Sequence, residues 1–171
     1  MNNTLEYRSP IDSDGHDTHT ASITVGRYVF LTSTMGYAKG MAAEMSPLGS
    51  VLVYKVYWNI NYYDSDILAA FDAVVADSVE VISLSVGGMV VPYHLDVIIV
   101  GAFEASKDGV FVSASMGNNG PGVLTVTNVA PWMLAYVAKK SSIQVTICLN
   151  FWSNSRKPWS KKMSYRSRQH C

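Results

Sequence analysis

Between residues 50 and 120, short β-branched runs alternate with longer stretches of helical period. Val51–Val56 has the length and side chains of a buried strand. A turn-like stretch, Asn59–Tyr63, follows, and Asp64 or Ser65 can cap a helix. Ile67, Leu68, Phe71, Val74 and Val75 fall at i, i+1, i+4, i+7 and i+8, which is one helical face. Val79–Leu84 reads as the next strand, ended by Gly87-Gly88. A second helix is predicted from about Leu95 to Lys107, with Ile98, Ile99, Ala102 and Phe103 inward. Asp108-Gly109 stops it, and Val110–Ala114 is a third strand.

Strand, helix, strand, helix, strand with short connections implies right-handed crossovers and a parallel sheet covered on both faces. Strands this continuously apolar fit burial on both sides. The expected class is therefore α/β, with a three-layer, doubly wound parallel sheet. Sites in such sheets form at the carboxyl ends of the strands. Those ends carry Ser85-Val86-Gly87-Gly88 and Gly117-Asn118-Asn119-Gly120-Pro121-Gly122. Glycines let backbone amides approach a ligand closely, and an asparagine among them adds a side-chain donor.

Composition narrows this little until charge is followed along the chain. The 171 residues are 49% apolar, enough for the core of one domain. The apolar runs, such as Val97–Ala102, are too short to span a bilayer, so no membrane partner is expected. Met1–Arg8 lacks a basic start followed by an apolar stretch, and no secretory signal is expected in this chain. Cys148 and Cys171 define neither a metal site nor a disulfide framework. The formal net charge of zero conceals a division: all thirteen acids lie at or before Asp108, and eight of the thirteen bases at or after Lys139. Two differently constrained segments are thus expected, 1–135 as the folded domain and 136–171 as a divergent basic tail, poorly ordered. No nucleic-acid partner is expected from that tail, despite its charge.

Candidate chemistry begins at Asp14-Gly15-His16-Asp17-Thr18-His19-Thr20-Ala21-Ser22, whose small and β-branched residues suit a tightly packed helix presenting His16 at its amino end. This stretch resembles the His-Gly-Thr-His motif of subtilisin-like serine proteases, in which the first histidine is the general base. Ser9-Pro10, Tyr54-Lys55-Val56, Asp64–Asp72, Val81–Gly88 and Asn128-Val129-Ala130-Pro131-Trp132 resemble plant subtilases in that family's order and spacing, over about residues 8–134. The resemblance implies the subtilisin-type fold, truncated at both ends, and a serine-type endopeptidase activity acting on peptide or protein substrates. It gives His16 as general base, His19 as a structural histidine and Asn118 as the oxyanion-hole donor. It also implies that substrate adds as a β-strand along Leu84, Ser85, Val86, Gly87 and Gly88, with Gly117 beside it. No cofactor is implied, and no calcium site can be matched residue by residue. The family is mostly extracellular, and the location of this chain is left open.

Acyl transfer by this machinery needs serine, histidine and an orienting aspartate. The family's Gly-Thr-Ser-Met segment is absent from the 171 residues, as is any Gly-x-Ser-x-Gly elbow. No nucleophile is found. The family's aspartate segment lies upstream of what the chain contains; Asp12 and Asp14 suit turn and cap duties instead. Asp17 replaces the glycine after His16, and Met116, in place of a small residue, is expected to crowd the groove. The expectation is a catalytically incomplete endopeptidase domain, or else a non-catalytic peptide-binding protein derived from one. A nucleotide-binding α/β module is disfavoured, since the glycines lack Gly-x-Gly-x-x-Gly order and a P-loop lysine. His16 and His19 as a metal pair lack a supporting Cys or Glu cluster, so no metal is expected.

Overall fold

The computed structural model describes residues 10–12, 14–42, 44–58, 61–120 and 122–136. They fall into two compact units, one ending at Tyr54 and one beginning at Lys55. The basic tail expected from residue 136 lies outside the described residues, apart from Tyr136.

The first unit holds helix α1, His16–Val25, and a hairpin of β1, Val29–Thr34, with β2, Tyr37–Ala42. Gly15, at φ 95°, occupies the N-cap position without a side chain to offer. Asp12 supplies the acceptors: Asp14 N and Gly15 N each donate to its Oδ1 at 2.9 Å, and Thr18 N donates to Oδ2 at 2.7 Å. One carboxylate thus satisfies backbone donors that the helix start would otherwise leave unpaired. At the other end, Met45 N and Ser46 N donate to the Ile23 and Thr24 carbonyls at 3.3 and 3.0 Å. The expectation that α1 packs tightly fails, because none of its residues is buried. Its hydroxyls bond back along the helix instead, Ser22 Oγ to His19 O at 2.8 Å and Thr24 Oγ1 to Thr20 O at 2.9 Å. The hairpin was not expected from the pattern. Met35 and Gly36 turn it with φ of 49° and 86°, the doubly left-handed two-residue connection that matches strand twist.

The second unit holds α2, Asp64–Ala76; β3, Val81–Leu84; α3, Val97–Lys107; β4, Phe111–Ser115; and β5, Leu134–Tyr136. The strands are parallel in the order β3-β4-β5, with Val81 opposite Phe111, Leu84 opposite Ala114, and Ser115 opposite Tyr136. Two helices and a parallel sheet give the α/β class. The core joins Ile67, Phe71 and Val74 of α2 to Ile98, Ile99, Ala102 and Ala105 of α3 and to Val112 and Ala114 of β4. Each fully buried aliphatic side chain there contributes roughly 1.5–3 kcal/mol. The helices meet at Gly101, where an added Cβ would overlap the Phe71 ring.

Several sequence expectations need correction. Residues 51–56 form no strand; the apolar run supplies suitable side chains, but a strand exists only through a ladder with a neighbour. The third parallel strand is β5, beyond the predicted elements. Helix α2 starts at Asp64, with Tyr63 as N-cap and no side-chain cap bond. Its first-turn acids still suit the positive end of the helix dipole, and Asp66 Oδ2 accepts a hydrogen bond from Trp58 Nε1 at 2.7 Å. Helix α3 starts two residues later than predicted because Asp96 caps it, accepting from Ile98 N at 3.0 Å and Ile99 N at 3.2 Å. Phe103, expected inward, is 43% exposed; it packs edge-on against Trp132, ring centroids 5.0 Å apart.

Candidate active site

In the first unit, His16 is the opening residue of α1 and is exposed. Its Nδ1 donates to Asp17 Oδ1 at 3.0 Å. An ionised carboxylate can only accept, so this contact places the proton of a neutral ring on Nδ1 and leaves Nε2 as the acceptor. That is the tautomer a general base in acyl transfer requires. Asp17 therefore does more than disturb a glycine position: it offers Nδ1 an acceptor that favours this tautomer. Both partners are exposed, which keeps the contact weak and salt-sensitive. His19 sits on the same helix and is also exposed. Asp12, with three backbone donors on its carboxylate, is held well below the usual carboxylate range, the Thr18 amide being the largest cause.

In the second unit, the carboxyl ends of β3 and β4 bring the two predicted glycine segments together. Ser85–Gly88 leave β3 without joining a ladder among the described residues. Gly117 follows β4 at φ 84°, a conformation that side chains rarely adopt. A Cβ on Gly87 would stand 3.1 Å from Thr127 Oγ1 and 3.5 Å from Gly117 Cα; one on Gly117 would stand 3.2 Å from the same hydroxyl. The two segments thus meet beside Thr127, where an added Cβ on either glycine would be tight against the threonine hydroxyl. Asn118 is exposed, and its side-chain amide makes no hydrogen bond among the described residues. It is available as a donor.

An open depression of about 370 Å³ lies alongside, lined by residues that follow the β3 end, Gly88, Met89 and Val90, and by Asn119, Leu124, Thr125 and Thr127 from the connection after β4. Met116, expected to crowd this groove, is half-buried and does not line the cavity. Tyr62 approaches Gly88, where a Cβ would stand 2.6 Å from its hydroxyl. Burial pushes the Tyr62 phenol up, with Asp64 and Asp96 adding to the effect, so it stays neutral at ordinary pH.

Sequence reasoning missed two residues here. Thr127 is 5% exposed and Asn128 1% exposed. The Asn128 amide donates to Val86 O and to Ser115 O, both at 2.8 Å. Asn128 opens the Asn128–Trp132 segment that carries part of the resemblance, but no role was attached to it; Thr127 is a polar residue in a mostly apolar stretch, which a search for titratable chemistry passes over. Among the described residues, no group of three His, Cys, Asp or Glu could hold a metal, and no helix is long and apolar enough to cross a membrane.

A sequence model of a protein family, described as the Subtilase family, matches residues 2–164. Subtilisin-like protease SBT1.5 of Arabidopsis thaliana is 69% identical over 133 residues, which is 78% of this chain and 17% of that protein. Subtilisin-like protease SBT1.6 of the same plant is 50% identical over 137 residues, 78% of this chain and 18% of that protein. The chain therefore spans less than a fifth of the length of these curated relatives. Among solved structures, sphericase superposes with a TM-score of 0.48 at 25% identity, over 65% of this chain and 36% of that one; family membership rests on the sequence matches.

Proposed function

Because the chain belongs to the subtilase family, we propose that it is the histidine-and-oxyanion portion of a subtilisin-like serine endopeptidase domain, and that its 171 residues bind extended peptide without hydrolysing it. His16 is the general base by position, with Nε2 as its free acceptor. Asn118 is the donor for an oxyanion, a role whose loss costs a factor of ~10²–10³ in turnover in enzymes of this chemistry. Leu84–Gly88 is the strand-like edge on which peptide pairs, and Gly117 keeps the opposite wall free of a side chain.

The observation that carries this reading is the meeting of Gly87 and Gly117 beside an exposed Asn118 amide, next to an open cavity, at the carboxyl ends of two parallel strands. A base and an oxyanion donor without a nucleophile cannot form an acyl-enzyme, and the 171 residues contain no segment like the family's serine motif. The purified chain is therefore expected to resist labelling by a fluorophosphonate probe and to leave peptides intact. Stoichiometric labelling of one serine, with cleavage of a casein-derived peptide, would overturn the non-hydrolytic part. A non-catalytic peptide-binding role for the chain in its own right is the second reading. It would differ from the first in that saturable peptide binding by the 171 residues is the whole function, with His16 and Asn118 contributing contacts but no chemistry.

A further inference from the structure

The two segments assigned above to peptide and oxyanion are joined by one side chain that plays no part in the chemistry. Asn128 lies in the long connection between β4 and β5 and is 1% exposed. Its Nδ2 carries two hydrogens and donates one to each segment, to Val86 O at 2.8 Å and to Ser115 O at 2.8 Å. Those carbonyls belong to parts of the chain 42 and 13 residues away in sequence. Asn128 also holds φ at 57°, a left-handed backbone that asparagine tolerates better than most side chains. Next to it, Thr127 N donates to Met116 O at 3.1 Å, which fastens the same connection to the end of β4 by backbone. Among the bonds described, the tie that reaches across to the β3 end is the Asn128 amide.

We infer that Asn128 is a positioning residue that sets the register between the peptide-pairing segment and the oxyanion loop. In a strand-like segment consecutive carbonyls face opposite sides. Anchoring Val86 O inward therefore turns the Ser85 and Gly87 carbonyls outward, where a peptide strand can reach them. Few side chains meet both demands: two N–H donors on one atom, and a left-handed backbone. Aspartate has the shape but would set a carboxylate against two carbonyl oxygens. Glycine keeps the backbone but removes the tie. The peptide-binding part of this inference rests on the proposed function; the geometric part does not.

The test uses the whole chain with Asn128→Gly and Asn128→Asp, and with Phe71→Leu as a control that loosens the helix layer away from the groove. Binding is read by fluorescence anisotropy with a fluorescein-labelled randomised octapeptide pool, and amide exchange is read by NMR. Two buried hydrogen bonds are lost, so half-saturation is expected to rise about tenfold or more in both Asn128 variants and to stay unchanged in Phe71→Leu. Amides of Gly87 and Gly117 should exchange at least about tenfold faster, while those of Val112 and Ala114 in β4 hold. Wild-type affinity in whichever Asn128 variant folds would overturn the inference, as would an equal loss in the control. If the wild-type chain shows no saturable binding, the peptide-binding reading fails. The positioning role then stands or falls on exchange alone, and unchanged Gly87 and Gly117 amides would refute it.

Discussion

Replacing Gly101 with alanine separates two effects of opposite sign. By helix propensity alone the change should stabilise α3 by about 0.8–1 kcal/mol, since glycine is the poorer helix former. The structure opposes this. The nearest atoms to an added Cβ are Phe71 Cδ2, Cγ and Cε2, all within 3 Å, and the ring is 6% exposed between packed neighbours. Overpacking of this kind costs about 1–3 kcal/mol, and an overlap with three ring atoms belongs in the upper half of that range. The net expectation is a loss of roughly 1–2 kcal/mol, or several degrees of Tm in a unit of this size. Urea denaturation followed by tryptophan fluorescence measures it. The double variant Gly101→Ala with Phe71→Leu should recover most of the loss, because the smaller side chain vacates the contact. A Gly101→Ala protein more stable than wild type, or no recovery in the double variant, would refute the packing argument.

Asp96→Ala removes the side-chain acceptor for Ile98 N and Ile99 N and should cost about 1 kcal/mol in the same denaturation assay. Asp12 is bonded in its charged form, so its folded value is depressed. Its contribution to α1 is then complete above the unfolded value of 3.8 and lost only as pH falls through the lower folded value. The Thr18 amide resonance should therefore hold its position from pH 7 to below 3.8; a midpoint at the ordinary carboxylate value would contradict this. Asp17→Asn weakens the contact that keeps the proton on His16 Nδ1, so the nitrogen resonances of the neutral ring should move toward the Nε2–H form. An unchanged tautomer balance would show that Asp17 does not set it.

The sequence was informative where local pattern and burial coincide. Ile67, Phe71 and Val74 recur at helical spacing because they meet α3, and Val112 and Ala114 lie in a β-branched run because they face the same core. It misled at residues 51–56, where apolar side chains fit a strand but no ladder forms, and at Phe103, whose partner Trp132 lies outside the core. The β1–β2 hairpin carries a readable turn at Met35-Gly36, but its exposed apolar residues show no inside-outside alternation to mark the strands. Strand β5 spans only three residues, too few for any period. In the candidate site, His16, Asn118 and the glycines were visible because their chemistry is distinctive. The roles of Thr127 and of Asn128, the latter visible only as the start of a family-like segment, were not, because they come from distant carbonyls and from close glycine approach, which no local spacing encodes.

The most direct test of the central claim is an NMR titration of the intact chain with the octapeptide pool, following backbone amides. A peptide that pairs along the β3 end next to the oxyanion donor should shift Ser85–Gly88 and Gly117–Asn118 together and to saturation, with the buried Val112 and Ala114 amides of β4 less affected by comparison. Shifts that are absent, unsaturable or confined to residues outside these two segments would contradict the account.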